Sequence, residues 1–100
     1  MASARRSAAV PAAGRGEGVA TTPRLTLVTR AECGLCEEMH AEIEQLRRTH
    51  PLPEIEVLDV DADPELKRRF DLEVPVLLLD GALVCQQELD AAELLRLLRR

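Results

Sequence analysis

The sequence predicts one α/β domain with the element order β-α-β-α-β-β-α, a mixed four-stranded sheet flanked by helices. Three observations carry that prediction. Apolar periodicity switches between strand and helix spacing across residues 24–100, a Cys-x-x-Cys pair falls where the first strand gives way to the first helix, and Asp80-Gly81 separates two apolar runs. A chain of 100 residues has room for one core, and 46% hydrophobic with 31% charged residues is a globular composition.

Leu25-Thr26-Leu27-Val28-Thr29 is aliphatic and β-branched and reads as the first strand. From Gly34 to Arg48 the apolar positions Cys36, Met39, Ile43 and Leu46 fall at spacings of three, four and three. They form one stripe of a helix whose Glu37, Glu38, Glu44, Arg47 and Arg48 face water, and Pro51 and Pro53 are its stop signals. Glu54 to Val60 is the second strand. Asp63-Pro64 places a cap before a proline at the first helical position, opening a short helix to Phe70 with Leu66 and Phe70 inward. Val76-Leu77-Leu78-Leu79 is apolar throughout, as a strand covered on both faces should be. Asp80-Gly81 turns it back into Ala82 to Cys85. Asp90 with Glu93 forms a capping-box pattern before a helix that buries Leu94, Leu97 and Leu98. The strands joined by the first helix are expected parallel and the last two antiparallel.

Charge divides the chain. Residues 1–23 hold three arginines against one glutamate, +2, and are rich in Ala, Gly and Pro without apolar periodicity. They read as a flexible N-terminal tail, compatible with an organelle transit peptide, a misassigned start or a plain linker. The tail lacks the continuous apolar stretch of a secretory signal, so the expected location is cytoplasmic. Residues 24–100, the expected domain, hold ten basic and seventeen acidic side chains, −7. That charge opposes phosphate binding, and Phe70 as the only aromatic leaves no stacking platform, so a nucleic-acid partner is not expected. The longest uninterrupted apolar run, Val74 to Leu79, is six residues, far short of a membrane span.

Cys33-Gly34-Leu35-Cys36 carries the chemistry. A cysteine at a helix N-terminus faces unpaired N–H groups and the positive end of the dipole, which stabilise a thiolate. Cys33 is therefore the expected nucleophile, and Cys36, on the buried stripe with Met39 and Ile43, its shielded resolving partner. Arg30 adds positive charge near the attacking sulfur and Glu32 opposes it. A lone Cys-x-x-Cys is also half a metal site. Zinc on Cys33, Cys36 and His40, with Cys85 or His50 as fourth ligand, stays open, as do a cluster shared between subunits, an inert pair and a non-catalytic adaptor. The leading expectation is dithiol exchange with no bound metal. Cys85 reads as a small core thiol, His50 as a solvated cap, and Asp59, Asp61 and Asp63 lack the glycine and later glutamate of a calcium loop. Pro75 is, on its own, equally a proline at a strand start.

Leu25 to Arg30 leading into Cys-Gly-Leu-Cys, with Val74-Pro75-Val76-Leu77 before a hairpin, resembles a glutaredoxin-like protein of the thioredoxin superfamily. The likeness covers residues 24–100 and is strongest to the compact branch with a Cys-x-Leu-Cys-(Asp/Glu) site, completed here by Glu37. It implies the thioredoxin-like, glutaredoxin-type fold and a small thiol-disulfide oxidoreductase. It further implies a cis Val74–Pro75 peptide beside the dithiol, with the Val74 backbone offered to an extended substrate or to glutathione. Catalytic Cys33 and Cys36, with Arg30, Leu35, Val74 and Pro75 contacting substrate, form the expected site. The Gly-Gly-x-x-Asp segment that holds glutathione in such proteins is replaced by residues 85–90, where only Asp90 matches. No tightly bound cofactor is expected; glutathione is a candidate co-substrate. The expected partners are a disulfide-containing protein or small molecule and glutathione or a disulfide reductase, acting on a monomer.

Overall fold

In the computed structural model, which describes residues 23–99, seven elements follow the expected order. β1 (Leu25–Thr29) leads into α1 (Gly34–Arg47), β2 (Ile55–Asp59), α2 (Pro64–Phe70), β3 (Val76–Leu79), β4 (Ala82–Gln86) and α3 (Ala91–Leu98). The tail expected over residues 1–23 lies, apart from Pro23, outside the described residues. The sheet order is β2-β1-β3-β4, with β1 parallel to β2 and antiparallel to β3, and β3 antiparallel to β4. This is a thioredoxin-like α/β fold.

Alternation along β1 and β3 builds two core layers. Leu25, Leu27 and Leu77 point to one face, where Met39 and Ile43 of α1 and Leu94 of α3 cover them. Val28, Val76 and Leu78 point to the other, against Val60, with Leu66 and Phe70 of α2 packed beside them. The unbroken apolar run of β3 is thus explained by helices on both sides. α2 buries no residue fully, because seven residues give it only about two turns.

Local hydrogen bonding sets the boundaries. At the β3–β4 hairpin Asp80 (φ 52°) and Gly81 (φ 85°) both adopt left-handed backbone, the geometry a two-residue turn demands. The Asp80 N–H donates to Arg24 O at 2.8 Å and the Arg24 N–H to Asp80 Oδ1 at 2.9 Å, pinning the hairpin tip to the start of β1. β2 stops at Asp59, one residue short of the expected Val60. There the Asp59 carboxylate accepts from the Asp61 N–H at 2.9 Å, and residues Val60–Ala62 tighten into a 3₁₀ turn. A short acidic side chain that bonds its own backbone competes with the ladder. The capping box of α3 is half-formed: the Glu93 N–H donates to Asp90 Oδ1 at 3.0 Å, but the Asp90 N–H donates to Cys85 Sγ at 3.4 Å and the Glu93 carboxylate pairs with Arg96. Among the described residues no helix is long and apolar enough to cross a membrane.

Candidate functional site

The chain leaves β1 at Thr29 and must reverse into α1 within four residues. Glu32 takes up the reversal with a left-handed φ of 56°. Cys33 follows in extended conformation as the N-cap of α1. Its sulfur does the work that a serine or aspartate oxygen does at other helix starts: the Cys36 N–H donates to Cys33 Sγ at 3.1 Å, and the Glu37 N–H donates to Cys33 O at 3.1 Å. Cys33 and Cys36 are joined in a disulfide with a Cα–Cα separation of 5.2 Å. Their surroundings differ. Cys33 is partly exposed, whereas Cys36 is 3% exposed and packs on the same helical stripe as Met39 and Ile43. Leu35, between them, is half exposed.

The antiparallel pairing of Val28 with Val76 brings the start of β3 to the sheet end where β1 exits toward Cys33. Pro75, immediately before it, is buried, and the Val74–Pro75 bond is cis. Gln87, also left-handed with φ 67°, holds this segment: its N–H donates to Pro75 O at 2.7 Å and its Nε2 to Leu72 O at 3.2 Å. Sequence reasoning missed Gln87, and no local signal marks a glutamine that turns back to bond a residue 15 positions earlier.

Arg30 has a different setting from the one expected. Its Nε and Nη2 bond both oxygens of Asp61 at 2.9 and 3.0 Å, its Nη1 donates to Asp71 O at 3.0 Å, and Nη2 also reaches the Asp71 carboxylate. Lys67 Nζ joins at 2.8 Å from Asp61 Oδ1 and 3.5 Å from Asp71 Oδ1. Hydrogen bonding to Arg30, then to Lys67, holds Asp61 far below the usual carboxylate range; hydrogen bonding to Arg30 likewise lowers Asp71. Hydrogen bonds to the carboxylates, chiefly Asp61, raise Arg30 and Lys67. The guanidinium is therefore neutralised by two acids and ties the exit of β1 to the segment that enters Val74-Pro75. Nothing local in the sequence signals this, because the partners lie 31 and 41 residues away.

Cys85 is a free, half-buried thiol, and burial pushes its pKa up. His40 Nε2 lies 3.7 Å from the Glu44 carboxylate and His50 Nδ1 2.9 Å from the Thr49 hydroxyl. Among the described residues no group of three or more His, Cys, Asp or Glu side chains is placed to hold a metal ion.

Residues 24–99, which hold this strand, the cysteine-capped helix and the buried proline, match a family model, the glutaredoxin-like domain (DUF836). The chain belongs to this glutaredoxin-like family. Among solved structures, protein Ne2328 from Nitrosomonas europaea is similar at 27% identity and TM-score 0.69, covering 82% of this chain and 98% of that one. Protein XcR50 from X. campestris is similar at 28% identity and TM-score 0.60, covering 75% and 95%. Fasciola hepatica thioredoxin, at 20% identity and TM-score 0.54 over 79% and 80%, shares the fold. A search of curated proteins finds no match. The glutaredoxin-like match covers nearly all the described residues, and the Cys33–Cys36 pair lies within it.

Proposed function

We propose that this glutaredoxin-like domain, residues 24–100, is a thiol-disulfide oxidoreductase that works as a monomer in the reducing cytoplasm. One observation carries the reading: the cysteine pair sits at the start of α1 with Cys33 partly exposed and Cys36 3% exposed. In the reduced chain the Cys36 N–H and the α1 dipole favour the Cys33 thiolate. That thiolate attacks a substrate disulfide, one substrate thiol leaves, and a mixed disulfide forms at Cys33. Cys36 then loses its proton, attacks Cys33 Sγ and releases the second substrate thiol. The product chain carries the Cys33–Cys36 bond seen in the structure. Leu35, Val74 and Pro75 are the proposed substrate contacts. Arg30, engaged by Asp61 and Asp71, supports their placement rather than binding an anion. Glutathione or a disulfide reductase restores the dithiol, and no tightly bound cofactor takes part.

The test is stoichiometric. Reduced, desalted protein mixed with a small aromatic disulfide should release two thiols per chain in a fast phase that Cys33→Ser abolishes, with any slower release coming from the half-buried Cys85 thiol. Absence of release from the unaltered chain, with Cys33 shown to be a free thiol, would contradict the reading.

A further inference from the structure

We propose that the surface around the dithiol selects cationic protein segments: its exchange partner is a disulfide flanked by Lys or Arg, with an apolar side chain beside it. This rests on the redox reading above and specifies its substrate class.

Two large apolar side chains are exposed at this sheet end, Leu35 at 50% and Leu72 at 81%. Leu35 lies between the cysteines. Leu72 belongs to the segment that Arg30 and Gln87 hold, through Asp71 O and Leu72 O, next to Val74-Pro75. Acids surround this small apolar face. Glu32 precedes Cys33, Glu37 lies in the first turn of α1 with Glu38 directly after it, and Glu73 follows Leu72. None of these four is ion-paired among the described residues, where the paired acids are Glu44, Glu56, Asp61, Glu65, Asp71 and Glu93. Arg30, the cation closest in sequence to the motif, is bound by Asp61 and Asp71 and offsets none of the four. The result is an apolar contact point inside uncompensated negative charge. A partner that buries an apolar side chain against Leu35 and Leu72 gains if it brings positive charge and loses if it brings negative charge. Steering by such a field changes association rates by about 10- to 1,000-fold at low ionic strength.

The step balances. The Cys33 thiolate attacks one peptide sulfur, the peptide S–S bond breaks and the departing thiolate takes a proton. Cys36 gives up its proton and attacks Cys33 Sγ, and the second peptide thiolate is expelled and protonated. Two electrons pass to the peptide, which ends as a dithiol, while the chain ends with its Cys33–Cys36 bond.

The experiment uses the full chain, reduced and desalted, and two cyclic disulfide peptides of equal length. Each carries Leu beside the cystine; one is flanked by Lys and the other by Glu. Each second-order rate is divided by the same peptide's rate with uncharged dithiothreitol, which cancels differences in leaving-group thiols. At low salt the Lys peptide should be favoured by about tenfold or more, and the preference should collapse toward unity at about 0.5 M salt. Replacing Glu32, Glu37 and Glu38 together by Gln should reduce it to below about threefold. Because both peptides meet the same thiolate, any change in Cys33 nucleophilicity drops out of the ratio. Leu72→Ser should slow both peptides by a similar factor. Exchange that proceeds at equal normalised rates, or favours the Glu peptide, overturns the inference and leaves the redox reading standing. No exchange with either peptide, from a chain whose Cys33 is reduced and alkylatable, overturns both.

Discussion

Cys33 and Cys36 are three residues apart yet chemically unlike, because a helix start treats its cap and its third residue differently. The cap sulfur receives the Cys36 N–H at 3.1 Å and remains open to solvent, while Cys36 points into the core beside Met39. Thiolate fraction and access both favour Cys33. In the reduced protein, alkylation near pH 6.5 followed by mass mapping should label Cys33 about tenfold faster than Cys36 or Cys85, whose thiol is raised by burial. Labelling of Cys36 first would reverse the roles. Cys36→Ser should accumulate a mixed disulfide at Cys33, and Cys33→Ser should form none. At this scale the sequence was informative where spacing alone decides the environment, as at Cys33, Cys36 and the cap Asp63. It was silent on Arg30, which reads as a free cation until Asp61 and Asp71 are brought to it across 31 and 41 residues. Asp90, the one residue matching a glutathione segment, caps α3 by accepting the Glu93 N–H at 3.0 Å.

Elements were legible where periodicity and punctuation agree. β1, α1, α2 and the Asp80-Gly81 hairpin fall within a residue or so of their expected bounds, since each has an apolar pattern and a cap, proline or turn signal. β2 ends one residue before the expected Val60, where the Asp59 carboxylate folds back on the Asp61 N–H. Insertion of β1 between β2 and β3 was not visible, because strand order depends on long-range packing rather than on local pattern. The ion cluster of Arg30, Asp61, Lys67 and Asp71 joins β1, the 3₁₀ turn and α2, and its pH behaviour follows from the signs. Asp61 and Asp71 are lowered in the folded chain, so their contribution is present above about pH 4, the unfolded carboxylate range, and is lost as pH falls through the folded values. Lys67 is raised, so its contribution is present below the unfolded lysine value of about 10.4 and is lost as pH rises beyond it. Thermal unfolding should therefore show a plateau from about pH 5 to about pH 10 from this cluster, with Arg30→Gln destabilising on the plateau and its difference from the unaltered chain narrowing progressively as pH falls below about 4. A constant difference at every pH would contradict that assignment. α3 depends on burial instead. Leu94 is 0% exposed against Leu25, Leu27 and Leu77, so Leu94→Ala should cost about 2–5 kcal/mol in denaturant unfolding.

Over the whole chain the net charge is −5, and the dithiol end contributes Glu32, Glu37 and Glu38 without paired cations among the described residues. Anionic glutathione approaches against that field within the screening length, about 8 Å at physiological salt. With Arg30 and Asp90 both engaged, glutathione as sole donor should sustain slow, salt-accelerated reduction of mixed disulfides, checked by a turnover assay at two ionic strengths. Fast turnover indifferent to salt would show that residues 85–90 grip glutathione after all. The central claim is that Cys33 and Cys36 exchange electrons rather than merely staple a helix start. Equilibration of the full chain in graded glutathione redox buffers, quenched by acid and mapped by mass, tests it directly. The expected result is a single two-electron transition confined to the Cys33–Cys36 pair, with a midpoint between about −180 and −270 mV, where exchanging dithiols lie. A pair that remains oxidised in every buffer, with a potential below about −300 mV, would be a structural disulfide and would contradict it.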